Sequence, residues 1–416
     1  MNRAEVRAAL PKNAREVFAL SRFDALVYGA ITSIAEATGL WTYPMRCEGD
    51  FERMRYIDMV YWYFKAGRPV RRARRGSGLE AYFSEQRRER PELPEGFEPQ
   101  REITVSCVGD LMSHPYLAAS GATLYASVSD LIFGADVSMA NLECVVDPPV
   151  KRELTIAMEE APVLYLDAAS FAAVTAFGER RYRFLAAACN HTLDFGEEGV
   201  DTTIRALEAN GIAYGGVTST SGDPFRPTIL EHEGVRIGAV AYTFGLNAKR
   251  PPSHRPNLVH RMALNDGVAA NDLGQLKRQV AQARSAGVEF FVAHLHWGIE
   301  HELYPTPEQV ELAHALAELG VDAIFGHHPH VLQPMELYRT KRDPLRDVPI
   351  YYSLGNLVNP FSAEHVCRSG VARLTLSRGA VGGSPRVYVR SAELVEVSQV
   401  ADEETKTLRL ERSPRP

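Results

Sequence analysis

Short apolar runs recur along the chain from about residue 103 onward, each stopping at a polar residue. The blocks Ile103–Val108, Val137–Ala140, Phe184–Ala188, Val235–Tyr242, Val288–Leu295, Val321–Phe325, Ile350–Ser353, Val371–Leu376 and Arg386–Val397 predict strands. Three longer segments with 3.6-residue apolar spacing predict helices between them. These are Glu198–Asn210 before Gly211, Leu273–Ala286 before Gly287, and Thr306–Leu319 before Gly320, the last with Pro307 near its start. Runs that are apolar on both faces, alternating with helices, predict an α/β fold with parallel strands buried in sheets.

The first hundred residues have a different texture. Ala14–Thr38 and Phe51–Phe64 show helical spacing with aromatics, and an arginine cluster (Arg68, Arg71, Arg72, Arg74, Arg75) leads into Pro91, Pro94 and Pro99. The expected organisation is a helical module with linker over 1–100, a large domain over 101–400 and a charged, frayed tail over 401–416. On this reading residues 1–95 are an appended unit, and the rest should fold and bind its ligands without them.

Composition narrows the function. A formal net charge of −6 gives no global basic field, so nucleic acid is not an expected partner. The five cysteines, at 47, 107, 144, 189 and 367, show no CxxC spacing. They suggest neither a zinc ribbon nor a disulfide framework, and a reduced compartment fits them. Phe23–Trp41 is apolar but carries Asp24 and Glu36, which argues for a packed helix over a membrane span. With no secretion signal at the start, a cytoplasmic location is expected, with peripheral membrane contact left to the N-terminal module and its arginines.

Histidine supplies the strongest signal. Seven of the thirteen lie between His294 and His330, six of them in the groups His294-Leu-His296-Trp-Gly-Ile-Glu-His301 and Gly326-His327-His328-Pro329-His330. Each group follows a predicted strand. Other strands end at Asp110, at Asn141-Leu142-Glu143 and at Asn190-His191. Polar ligands in series at strand ends are how α/β sheets present a site. Asp110 and Glu143 offer anionic oxygen, Asn190 a carbonyl, and His296, His328 and His330 nitrogen. That mixed set suits a first-row ion of the manganese, iron, zinc or nickel class, and the absence of thiolates argues against a closed structural zinc.

In order, the motifs are Gly-Asp-Leu-Met (109–112), Asn-Leu-Glu (141–143), Cys-Asn-His-Thr-Leu-Asp-Phe-Gly (189–196), His-Trp-Gly-Ile-Glu (296–300), Gly-His-His-Pro-His-Val-Leu-Gln (326–333) and Tyr-Ser-Leu-Gly-Asn (352–356). Over residues 103–397 the chain resembles the CapA family of bacterial capsule or poly-γ-glutamate synthesis proteins, a branch of the calcineurin-like metallophosphoesterase superfamily. The resemblance implies a four-layer sandwich, two β-sheets flanked by helices, with one or two divalent metals at the strand ends. It implies that Asp110 and His330 hold the first metal, that Glu143 bridges, and that Asn190, His296 and His328 complete the second. His191 would be the catalytic acid or oxyanion partner, oriented by Asp194.

Two positions depart from the superfamily pattern. Met112 stands where the superfamily has a histidine, which weakens the first metal site, and Cys189 replaces an asparagine beside the ligand Asn190. The expected activity is a metal-dependent hydrolase acting on a phosphoester or a γ-glutamyl amide in a small molecule, peptide or γ-glutamyl polymer. The alternatives are a γ-glutamyl transferase and a non-catalytic capsule-assembly or binding protein that keeps a partial metal site. Typical family members are membrane-anchored.

Overall fold

A computed structural model describes residues 21–49, 53–86, 90–149, 163–220 and 222–413. Among the described residues three helices come first: α1 (Arg22–Thr38), α2 (Tyr56–Gly67) and α3 (Leu79–Gln86). The expected helical spacing over 14–20 and 51–52, and the end of the tail at 414–416, lie outside the described residues.

The larger sheet contains β1 (Phe97–Leu111), β2 (Val137–Leu142), β3 (Phe184–Ala186) and β4 (Ala213–Gly215), with α4 (Ala168–Thr175) and α5 (Gly196–Ala209) in the intervening chain. The smaller sheet contains β5 (Thr228–His232), β6 (Val235–Thr243), β7 (Phe290–His296), β8 (Ala323–His327), β9 (Met335–Arg339) and β10 (Asp347–Tyr351), with α6 (Gly274–Ser285) before β7 and α7 (Pro307–Leu319) before β8. The chain then returns to the larger sheet with β11 (Asn356–Val358), β12 (Arg368–Val381), β13 (Ser384–Asp402) and β14 (Thr407–Arg412).

The larger sheet is antiparallel from β14 to β1 and parallel from β1 to β4, whereas the smaller is parallel at its centre and antiparallel at both margins. The larger runs β14-β13-β12-β1-β2-β3-β4, with β11 also pairing parallel to β1; the smaller runs β9-β10-β8-β7-β6-β5. Side-chain alternation shows how they stack. Phe290 and Val292 of β7, Ala323 and Phe325 of β8, and Ile237, Ala239 and Ala241 of β6 join the core that includes the larger sheet and α5. Phe291, Ala293, Leu295, Ile324, Val240 and Tyr242 face the opposite way, onto α6 and α7. Period-2 alternation with both faces apolar places the smaller sheet between the larger sheet and its own helices. The two-sheet α/β sandwich expected from the motifs is the architecture observed.

Two expectations change. The charged tail is an ordered edge strand through Arg412: β14 pairs antiparallel with β13, and Leu408 and Leu410 are fully buried. Alternate apolar residues inside a charged stretch suffice for an edge strand with one buried face. The N-terminal helices also do not stand apart. Val70 N donates to His301 O (3.1 Å) and Val70 O accepts from Leu303 N (3.0 Å), while Leu79 and Phe83 of α3 join the core over the smaller sheet.

Candidate metal centre

The candidate ligands converge because parallel strands of both sheets end at one level. Asp110 is the penultimate residue of β1 and Glu143 directly follows β2, its backbone N–H donating to Leu111 O (3.1 Å). His296 ends β7, and His328 and His330 follow β8. Close backbone packing fixes two of these ends. A Cβ on Gly109 would sit 1.9 Å from Gly355 O, and one on Gly326 would sit 1.9 Å from Tyr352 O, so both positions require glycine. His328 and His330 adopt φ of 93° and 58°. Left-handed backbone at a non-glycine residue is strained, and such strain gathers at functional sites.

All eight site residues expected from the sequence are buried and lie in one region. Asp110, Glu143 and His296 offer ligand atoms within 4.8 Å of one another, and so do Glu143, His328 and His330. Glu143 Oε1 lies 3.6 Å from His296 Nε2 and 3.7 Å from His330 Nε2, while Asp110 Oδ2 lies 3.4 Å from His330 Nδ1. Asn190 Oδ1 is 2.9 Å from His296 Nε2. His191 Nδ1 meets Asp194 Oδ2 at 2.8 Å, and Asp194 Oδ2 also accepts from Leu164 N at 2.7 Å.

The donor atoms left over decide whether this set fits a cation. Both carboxylate oxygens of Glu143 and both ring nitrogens of His328 are buried without a hydrogen-bond partner among the described residues. Orphaned buried polar atoms are costly unless something pairs with them, and these four face a cluster of further donors. The residues present therefore fit a divalent ion, and Glu143 belongs to both donor groups.

Charge within the cluster is distributed accordingly. Burial pushes the Glu143 carboxyl well above its ordinary range. Burial acts the same way on Asp110, but hydrogen bonds from His327 and His330 overcome it and hold Asp110 well below the usual range. Burial opposes a charge on His330, yet the carboxylates of Glu143, Asp110 and Glu300 raise it to about 10. Burial drives His296 and His328 well below the usual histidine range, leaving neutral imidazoles, the form that binds metals.

Several residues were not singled out by the sequence reading. Asn141 Nδ2 donates to Asp110 Oδ1 (2.9 Å), and Lys249 Nζ reaches Asp194 Oδ1 (2.7 Å). Trp62 of α2 donates to Glu300, whose Oε1 stands 3.9 Å from His330 Nε2. Asn356 Oδ1 lies 2.8 Å from His330 Nδ1, so this residue lines the centre. His301 is buried between Trp62 and His330, and both its ring nitrogens are without a hydrogen-bond partner among the described residues. Met112 is buried in the apolar core, its backbone N–H donating to Val358 O (2.9 Å). His114 faces Tyr116, whose backbone N–H donates to its Nδ1 (3.0 Å).

Comparison with known proteins agrees with these motifs. The capsule biosynthesis protein CapA of Bacillus anthracis is 27% identical over 267 residues, covering 62% of this chain and 60% of that protein. The PGA biosynthesis protein CapA of Bacillus subtilis is 28% identical over 185 residues, 43% of each chain. This chain thus spans well under two thirds of either relative. Among solved structures, a calcineurin-like phosphoesterase, YfkN from Bacillus subtilis, is similar with a TM-score of 0.37 at 15% identity, covering 74% of this chain and 95% of that one. A hypothetical protein from Thermus thermophilus gives a TM-score of 0.38 at 17% identity, over 71% and 99%. Residues 104–360 match the profile described as bacterial capsule synthesis protein PGA_cap, and the chain belongs to that family.

Proposed function

We propose that this protein is a metal-dependent hydrolase that cleaves a phosphoester or a γ-glutamyl amide. The observation that carries this reading is Glu143: a fully buried carboxylate with neither oxygen hydrogen-bonded, facing His296 and His330 and grouped with His328. Asp110, Glu143, Asn190, His296, His328 and His330 would hold the ion or ions. A bound divalent ion would polarise the scissile group and lower the pKa of an attacking water.

The remaining residues supply proton transfer and positioning. Asp194 fixes His191 through Nδ1, and among the described residues no protein group is hydrogen-bonded to Nε2. That nitrogen is the one able to give a proton to a leaving group, the role of a general acid. Asp194 is itself held by Leu164 N and Lys249 Nζ, which keep the carboxylate turned toward His191. Glu300, beside His330 and tied to Trp62, forms one wall.

The names of the relatives, capsule and PGA biosynthesis, support a γ-glutamyl amide as the bond attacked; transfer to an amine acceptor would use the same cleavage step. A second reading, a non-catalytic accessory protein with a partial centre, is favoured by one observation: Met112 sits in the apolar core and adds no nitrogen donor. One assay decides. Protein reconstituted with manganese, zinc, iron or nickel is offered chromogenic phosphoesters and γ-glutamyl peptides. Turnover that is lost in His191→Ala while metal is retained supports the hydrolase; absence of turnover on both classes, with metal bound, supports the accessory role.

A further inference from the structure

Behind the oxygen-rich centre, between the two sheets, lies a second group of donors that the proposed chemistry does not use. Cys107 comes from β1 of the larger sheet, and His294 and His327 come from β7 and β8 of the smaller one. They are 0%, 1% and 0% exposed. By strand alternation His294 occupies the same face as Phe290 and Val292, and His327 the same face as Ala323 and Phe325. Two imidazoles and a thiol therefore stand at inter-sheet positions where the neighbouring residues are core hydrophobics.

Packing alone does not account for them. The rings of His294 and His327 are parallel, with centroids 5.4 Å apart, and His294 Nδ1 is 3.2 Å from His327 Nε2. A hydrogen bond across that gap would satisfy one nitrogen on each ring. Of the other two, His294 Nε2 is buried with no hydrogen-bond partner among the described residues, and His327 Nδ1 faces Asp110 Oδ1 at 3.4 Å. Cys107 Sγ has only a long contact of 3.6 Å to its neighbour's carbonyl, Val108 O. Apolar side chains at both positions would fill the space without stranding a polar atom, so the pair, with His294 Nε2 unpaired, costs stability unless something binds it.

We propose that Cys107, His294 and His327 form a separate, thiolate-containing site for a zinc- or copper-class ion. Their donor atoms already lie within 4.8 Å of one another. Only small adjustments would bring all three to bonding distances of ~2.0–2.3 Å from one ion. A His2Cys set is softer than the carboxylate-rich group in front of it and selects a different class of metal. Asp110 Oδ1 stands 3.4 Å from His327 Nδ1, where carboxylates commonly stand behind ligating imidazoles. Asp110 thereby touches both sites. The ion would clamp β1 to β7 and β8 directly under the ends that present Asp110, His296 and His328.

Cobalt(II) tests this on the full-length protein, because only a thiolate ligand gives an intense near-ultraviolet charge-transfer band. Metal-depleted protein titrated with cobalt(II) should show the band. Cys107→Ser should abolish it and lower bound cobalt by one equivalent, and His294→Phe, matched to its apolar neighbours, should do the same. Glu143→Gln combined with His328→Ala should lose cobalt from the front centre and keep the band, so the fate of this site is read independently of the hydrolase reading. No band in the unmodified protein overturns the proposal. So does a band that survives Cys107→Ser or follows Cys144→Ala instead.

Discussion

The indole N–H of Trp62 donates to the carboxylate of Glu300, 238 residues further along the chain. Glu300 in turn faces His330, so a helix from the first seventy residues reaches the edge of the candidate metal centre. The same helix sends Lys65 Nζ and Tyr61 OH to Glu302 Oε1, each at 3.2 Å, in a contact where lysine and glutamate are almost fully buried.

Removing residues 1–95 is therefore expected to abolish cooperative unfolding rather than release an intact metal-binding domain. Loss of Lys65 alone strands the buried Glu302 charge, at a cost of about 3–5 kcal/mol, and the pairing of Val70 with the 301–303 segment goes with it. Circular dichroism melts of the truncated chain measure this. A soluble fragment that melts cooperatively and keeps its metal would show the helices to be an appendage after all.

His191→Ala should cut turnover by roughly 10²–10⁴-fold, the usual contribution of a positioned acid, without loss of metal. Lys249→Met acts one step further out. It removes the ammonium group paired with Asp194 Oδ1 but leaves the bonds from Leu164 N and to His191. Its effect should be a smaller fall in kcat with an altered pH profile and an unchanged KM. A Lys249→Met variant with raised KM and normal kcat would instead place Lys249 on the substrate.

The central strands were legible because burial on both faces writes a continuous apolar run, as in Val288–Leu295 and Val321–Phe325, and the candidate ligands sit at the ends of those runs. What escaped was marginal or distant. β5 (Thr228–His232), β9 (Met335–Arg339) and β14 (Thr407–Arg412) are edge strands with one solvated face, and their charged residues read as loop or tail. Lys249 and Trp62 reach the site from segments with no motif of their own. His327 carried the opposite difficulty. Inside Gly-His-His-Pro-His it looks like one more front-centre ligand, yet strand alternation turns it toward His294.

Metal affinity should rise with pH through the range from about 6.5 to about 10. In the metal-free protein the neighbouring carboxylates hold a proton on His330 up to about 10, whereas binding requires the neutral ring. Binding at neutral pH must then displace that proton, and each displaced proton makes affinity climb by about tenfold per pH unit. The sign for stability is the reverse. A histidine whose folded pKa lies above its unfolded value stabilises the metal-free fold fully below about 6.5; that contribution disappears as pH rises toward 10. Calorimetric titration in buffers of different ionisation enthalpy counts the released protons, and a pH-independent affinity with no proton release would contradict the assignment of His330.

Stoichiometry at the front centre should be uneven. On the assignment that the family resemblance implies, Asp110, Glu143 and His330 would serve the first ion, and Glu143, Asn190, His296 and His328 the second. Met112, which would have to supply the missing nitrogen, is packed among core hydrophobics, and His114 is turned to Tyr116. Fewer protein donors leave more of the coordination shell to water and a smaller binding free energy. In a Cys107→Ser background, so that only this centre is counted, elemental analysis should find one ion that survives mild chelation and one that does not. His328→Ala and Glu143→Ala should each strip at least one equivalent while the protein stays folded. Met112→His should raise retention of the labile ion if its ring can turn out of the core toward Asp110. Two ions of equal affinity, unmoved by Met112→His, would mean that another residue already completes the first site, and His327, 3.4 Å from Asp110, is the one placed to do so.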